Sequence, residues 1–68
     1  MNELRLVIDQ TKLALVMANL GVNASELAEK AGISRQTMHI WLKSRDLNAK
    51  QVNKLAKTLG VQVEDLVK

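Results

Sequence analysis

The sequence of 68 residues contains no cysteine, no proline and a single aromatic residue, Trp41. Without cysteine, neither disulfide bonds nor thiolate metal sites can supplement a small hydrophobic core. The longest nearly apolar run, residues 13–22, has about half the length that a bilayer crossing needs, so no membrane span is expected. The N-terminus lacks the charged and apolar regions of a signal peptide, which predicts a cytoplasmic protein.

Catalytic and metal-binding patterns are also missing. There is no glycine-rich phosphate loop, no carboxylate pair in a plausible cleft and no set of nucleophile and base, so we do not expect an enzyme. The lone His39 has no nearby Cys, Glu or second His with which to bind a metal. The length predicts one domain over residues 1–68, with no cofactor and no small-molecule ligand.

Positive charge is concentrated in the second half of the chain. Residues 1–34 sum to −1 and residues 35–68 to +4. Between Arg35 and Lys57 there are six cations and one acid, Asp46, which gives a local charge of +5. This asymmetry favours a polyanionic partner, although lysines that simply solvate helix surfaces would give the same charge.

Capping residues and glycines divide the chain into helices. Gly21, Gly32 and Gly60 each follow an apolar periodic stretch, as at helix C-termini, and Asp9, Asn23, Ser34 and Asn48 are good N-caps. We therefore predict an all-α fold, a compact bundle of about five short helices. Their expected bounds are Gln10 to Leu20, Ala24 to Ala31, Arg35 to about Lys43, Ala49 to Leu59, and a short last helix from about Val63.

The first eight residues have a different pattern. Leu4, Leu6 and Ile8 alternate with polar residues, which predicts an extended N-terminal arm, while Leu4, Val7 and Ile8 also have helical spacing. The first helix has a second apolar stripe that needs a cover, made of Ala14, Leu15 and Ala18. Either the arm or a second copy of the chain would cover it, and a dimer through residues 3–8 is one hypothesis.

The pattern of residues 23–43 predicts two helices joined by a tight turn. Two helices that cross steeply need a small residue at their contact, here Ala28, and a glycine at the turn, here Gly32. If Leu27, Ile33, Met38 and Trp41 face the core, a mostly polar set at the start of the second helix and along it remains exposed. That set consists of Ser34, Arg35, Gln36, Thr37, His39, Ile40 and Lys43, and it is a plausible surface for reading DNA.

This stretch resembles the helix-turn-helix of Cro-like and lambda-repressor-like regulators, the XRE family. The matching residues are 27–37 (Leu-Ala-Glu-Lys-Ala-Gly-Ile-Ser-Arg-Gln-Thr), Trp41, 55–61 (Leu-Ala-Lys-Thr-Leu-Gly-Val) and 64–66 (Glu-Asp-Leu). The family often has Gln where this chain has Ala24, Gly where it has Ser44, and Pro where it has Leu47. The resemblance covers roughly residues 9–68 and implies that the third helix enters the major groove of DNA.

The chemistry of the exposed set divides it into two groups. A guanidinium can bind guanine, a glutamine side chain can bind adenine, and an aliphatic side chain can contact a thymine methyl group. We therefore predict that the base-reading residues are Arg35, Gln36, His39 and Ile40. Hydroxyls, flexible cations and the start of the fourth helix suit phosphates. The predicted phosphate-contacting residues are Ser34, Thr37, Lys43, Arg45, Asn48 and Lys50.

The sequence thus predicts a sequence-specific regulator that binds double-stranded DNA, most simply a repressor located at the nucleoid in the cytoplasm. Because one helix reads only a few base pairs, we expect a homodimer, at least on DNA. The alternative is a small helical interaction module, such as an antitoxin or adaptor, that uses the apolar N-terminal segment. Substitution of Arg35 would affect only a DNA reader, whereas an adaptor would be sensitive at Leu6 or Leu15.

Overall fold

The computed structural model describes residues 4–68, which form four α-helices, a two-stranded antiparallel sheet and a short 3₁₀ turn. The elements in chain order are β1 (Arg5–Val7), α1 (Gln10–Leu20), α2 (Ala24–Ala31), α3 (Arg35–Lys43), β2 (Asp46–Asn48), α4 (Ala49–Leu59) and the 3₁₀ turn (Val63–Asp65). The predicted bounds of the four α-helices are confirmed. No helix among the described residues is long and apolar enough to cross a bilayer.

Side chains at the N-caps explain where the helices begin. The Asp9 carboxylate accepts a hydrogen bond from the Lys12 amide at 3.1 Å, and Ser34 caps α3 through the Thr37 amide. Asn23 and Asn48 each form a reciprocal capping box with the residue three positions later. These caps satisfy amides that have no partner within the helix, so the local sequence fixes each start.

The expectation of an all-α fold with five helices is wrong in two respects. Residues 46–48 form a strand, and the last predicted helix is a single 3₁₀ turn in which the Leu66 amide donates to the Val63 carbonyl at 2.9 Å. The chain cannot continue helically after this turn because it pairs with the N-terminal segment. The Asp9 amide donates to the Leu66 carbonyl, and the Lys68 amide donates to the Val7 carbonyl.

The prediction of an extended N-terminal segment is confirmed for its described part, and the helical alternative is wrong. Residues 1–3 of the predicted arm lie outside the described residues. In the sheet, Leu6 lies opposite Leu47, and the Ile8 amide donates to the Arg45 carbonyl at 2.9 Å. A side-chain ion pair, Arg5 Nη2 to Asp46 Oδ1 at 2.6 Å, also joins the two strands.

The core is centred on the buried face of α4, which contributes Val52, Leu55, Ala56 and Leu59. Other helices contribute Leu13, Leu27 and Met38, and Trp41 packs against this cluster while partly buried. The extended elements contribute Ile8, Leu47 and Leu66. The predicted inward positions of the second and third helices are therefore confirmed, and the polar side of α3 is left facing outward.

The described part of the arm does not cover the second apolar stripe of α1. Ala14, Leu15 and Ala18 are exposed, because β1 pairs with β2 and does not lie over α1. Within residues 4–68 this stripe therefore remains open.

Candidate nucleic-acid interface

The turn between α2 and α3 fixes the angle at which α3 is presented. Gly32 follows the last residue of α2 with φ +72°, a left-handed conformation that favours glycine. Its amide donates to the Glu29 carbonyl at 3.2 Å, and the Ile33 amide donates to the Ala28 carbonyl at 3.1 Å. This pair of hydrogen bonds closes the end of α2 as a Schellman motif. The buried Ala28 then lets α2 and α3 cross closely.

The predicted base-reading residues lie together. Arg35, Gln36, His39 and Ile40 are all exposed on α3 and line one open cleft, which Thr37 and Ser25 also line. Ile40 is 66% exposed, a large value for an aliphatic side chain. An exposed aliphatic residue among a guanidinium, an amide and an imidazole offers the mixture of hydrogen-bonding and apolar contacts with which base edges are read.

Ser25 was missed in the sequence analysis. It is the second residue of α2, exposed, and it lines the same cleft as the α3 residues. Because Ser25 lies two residues after the Asn23 cap, its hydroxyl is at the N-terminus of α2, where the backbone amides favour anions. The sequence could have indicated Ser25 through its position in the capped first turn of α2. The crossing of the two helices brings this turn beside α3.

The two hydroxyls at the start of α3 form a short relay. Ser34 Oγ accepts a hydrogen bond from the Thr37 amide at 3.1 Å and donates to Thr37 Oγ1 at 2.9 Å. Since Thr37 Oγ1 accepts from Ser34, its own proton remains to donate to an external acceptor. Of the two predicted phosphate-contacting hydroxyls, Thr37 is therefore the better donor and Ser34 supports it.

Lys43 and Arg45 lie apart from the base-reading group. Both are exposed, and they line a second cleft with residues at the start of α1 and with Lys68. Two contacts hold this loop: Gln10 Nε2 donates to the Ser44 carbonyl at 3.0 Å, and the Ile8 amide donates to the Arg45 carbonyl. The N-terminal segment and α1 thus position the predicted phosphate contacts at the end of α3.

Asn48 and Lys50 form a third group at the start of α4, in a small cleft with Leu4 and Ala49. Asn48 Oδ1 accepts the Gln51 amide at 2.8 Å, so its oxygen is committed to capping and its NH₂ group remains as a donor. Lys50 is exposed in the first turn, where a cation opposes the helix dipole.

The positive charge of these groups is not compensated within the described part of the chain. The only ion pair among residues 4–68 joins Asp46, the single acid between Arg35 and Lys57, to Arg5. The six cations of that segment therefore have no acidic partner within 4 Å there. Three of them, Arg35, Lys43 and Arg45, lie in or just after α3 and supply positive charge there that attracts polyanions.

Comparison with known proteins agrees with this geometry. A family model described as a Cro/C1-type HTH DNA-binding domain matches residues 12–68, which include all four α-helices except the first two residues of α1. No curated protein and no solved structure matches the chain. The resemblance noted in the sequence is thereby confirmed. The matched region is most of the chain and contains the whole α2–turn–α3 unit, so the protein belongs to the family of Cro/C1-type helix-turn-helix DNA-binding domains.

Proposed function

We propose that this protein is a sequence-specific transcriptional regulator that reads the major groove of double-stranded DNA with α3. The observation that carries the proposal is the common cleft of Arg35, Gln36, His39 and Ile40, whose side chains are all exposed and differ in chemistry. A surface used only for solubility has no need of an exposed isoleucine among them. Family membership as a DNA-binding domain supports the same partner.

The base-reading roles follow from the donors and acceptors of each side chain. Arg35 places its guanidinium on guanine O6 and N7, Gln36 pairs with adenine N6 and N7, and Ile40 contacts a thymine methyl group. His39, exposed one turn after Arg35, completes the base-reading set.

The phosphate-contacting residues surround this set. Thr37, supported by Ser34, donates to a phosphate at the start of α3. Lys43 and Arg45 bind the DNA backbone beyond the end of α3, and Asn48 with Lys50 binds it at the start of α4, where an anion also removes the conflict between Lys50 and the helix dipole. These contacts set the affinity and its salt dependence, and they orient α3 without reading sequence.

The regulator acts as a homodimer at least on DNA, and most simply as a repressor that occludes a promoter in the nucleoid. A single α3 reads only a few base pairs, whereas two copies related by a two-fold axis read half-sites about 34 Å apart. The test is selection of bound duplexes from a random double-stranded pool, followed by a salt series on the enriched sequence. We expect a palindrome with half-sites about ten base pairs apart. Weak, salt-labile binding without enrichment would contradict the proposal and favour the adaptor function.

A further inference from the structure

The outer face of α1 is an exposed apolar surface, which we call the α1 outer face and define as Thr11, Ala14, Leu15 and Ala18. These residues recur at intervals of three and four, so they share one side of the helix, opposite the buried Leu13. Leu15 is 58% exposed although it is a large aliphatic residue. Within residues 4–68 nothing covers this face, because the N-terminal strand is occupied in the sheet.

The charge distribution favours the α1 outer face over the other exposed surfaces for contact with a second copy of the chain. Residues 13–25 contain no ionisable side chain, and the one charged residue of α1, Lys12, donates from Nζ to the carbonyls of Glu64 at 3.3 Å and Val67 at 3.1 Å. The exposed sides of α3 and α4 carry cations, and the chain has a net charge of +3. Two identical copies would repel each other through those sides. The centre of the α1 outer face, formed by Ala14, Leu15 and Ala18, lets them approach without burying an unpaired charge, whereas its Thr11 end borders the cleft of Lys43 and Arg45.

The spacing of the four residues also suits packing against a second α1 helix. Four residues at i, i+3, i+4 and i+7 form the hole that accepts a side chain from a facing helix in knobs-into-holes packing. In an antiparallel pair of α1 helices around a two-fold axis, Leu15 of each copy enters this hole in the other, and Thr11 faces Ala18. Alanine and threonine let the helix axes approach at the short end of the usual 8–10 Å range.

We therefore propose that the α1 outer face is the two-fold contact between two copies of this chain. This proposal names the surface that joins the two copies of the proposed DNA-binding dimer. Its DNA experiment rests on the proposed function. A helix of 11 residues is only about 16 Å long, so the contact is smaller than a standard stable interface. The dimer is accordingly weak in solution and is completed when both copies bind one palindrome.

The first experiment uses the absence of native cysteine and requires no DNA. Ala14→Cys places a thiol close to the proposed axis, and Asn19→Cys places one on an exposed position of the same helix outside the face. Under a mild oxidant, and at a protein concentration high enough to populate a weak dimer, Ala14→Cys is expected to form disulfide-linked dimers much faster than Asn19→Cys, because only the former brings two thiols within bonding geometry. Equal rates, or no cross-linking of either variant, would overturn the proposed contact.

The second experiment measures cooperative binding to the palindrome enriched from the random pool. Leu15→Glu is expected to abolish the cooperativity, a loss of about 5–150-fold in palindrome affinity, and to leave the affinity for a duplex with one half-site unchanged. The matched control Asn19→Glu adds the same charge to the same helix and should bind like the wild type. Retained cooperativity in Leu15→Glu would refute this interface. If the wild type binds neither duplex, the proposed function fails, and the cross-linking result still decides the contact.

Discussion

Substitution of Arg35 by alanine and by lysine distinguishes the contribution of its planar guanidinium group to DNA binding from that of its charge. Arg35 is the first residue of α3 and is exposed, and it has no acidic partner within 4 Å among the described residues. A cation in the first turn of a helix opposes the helix dipole by about 0.3–1 kcal/mol. The free energy of unfolding of Arg35→Ala should therefore equal or slightly exceed that of the wild type.

DNA binding should change in the opposite direction. Loss of a bidentate contact to guanine costs about 1–3 kcal/mol, which corresponds to about 5–150-fold in affinity for the selected sequence. Arg35→Lys keeps the charge but not the planar pair of donors, so it should lose most of the same discrimination. Binding to a scrambled duplex depends on phosphate contacts and should change little in either variant.

The assay is a fluorescence-anisotropy titration of both variants against the selected and the scrambled duplex at several salt concentrations, with unfolding followed by circular dichroism. The reasoning is refuted if Arg35→Ala loses equal affinity for the two duplexes, and Arg35→Lys restores it. That result would show that Arg35 neutralises a phosphate and does not read a base.

Three further predictions concern the scaffold and its link to binding. Gly32→Ala should lower the free energy of unfolding by about 1–2 kcal/mol, because alanine is strained at φ +72°, and urea unfolding monitored by Trp41 fluorescence measures this. An unchanged midpoint would contradict the turn geometry. In the alternating hydrogen bonds of the sheet, the Leu47 amide faces the Leu6 carbonyl. Leu47→Pro removes this donor and should lower the free energy of unfolding by at least about 1–3 kcal/mol in the same urea experiment. Wild-type stability of this variant would disprove the β1–β2 pairing. Ser34→Asp should keep the N-cap, whereas Ser34→Ala should lose about 0.5–2 kcal/mol of stability. Since Ser34→Asp puts a carboxylate beside the phosphate site, it should weaken binding to all duplexes, and undiminished affinity would remove Ser34 from that site.

The helices of this protein could be predicted from sequence because their boundaries are set by neighbouring residues. The side chains of Asn23 and Asn48 each accept a hydrogen bond from the amide of the residue three positions later, so the caps can be recognised from a few neighbouring residues. The crossing of α2 and α3 could be predicted for the same reason, since Gly32 and Ala28 lie within a short stretch.

The sheet could not be predicted, because it depends on contacts between distant parts of the chain. Residues 46–48 become a strand only by pairing with Arg5–Val7, about forty residues earlier. The departure from the family at Leu47 was an available signal, since a proline there cannot donate the amide that this pairing uses. The inclusion of Ser25 in the α3 cleft was missed for a similar reason, as it depends on how two helices cross.

The sequence predicted two groups of site residues, base-reading and phosphate-contacting, and the structure distributes most of them over three clefts. The residues on α3 could be grouped from helical periodicity alone, because Arg35, Gln36, His39 and Ile40 belong to one element. The loop residue Arg45 instead takes its position from the Ile8 amide and so depends on the N-terminal segment. The roles of these residues in binding DNA remain predictions that the substitutions above test.

The position of β1, held on one side by β2 and on the other by residues 66–68, also has a consequence for the order of folding. The contacts between α2 and α3 close a short loop, whereas the hydrogen bond from the Lys68 amide to the Val7 carbonyl joins residues 61 positions apart. Long-range contacts of this kind form slowly because the intervening chain must first be ordered. During synthesis, the α2–α3 unit leaves the ribosome before either partner of β1. Helix α3 can thus contact α2 early, whereas the loop that carries Arg45 takes its position from the Ile8 amide only when the N-terminal segment has paired with β2.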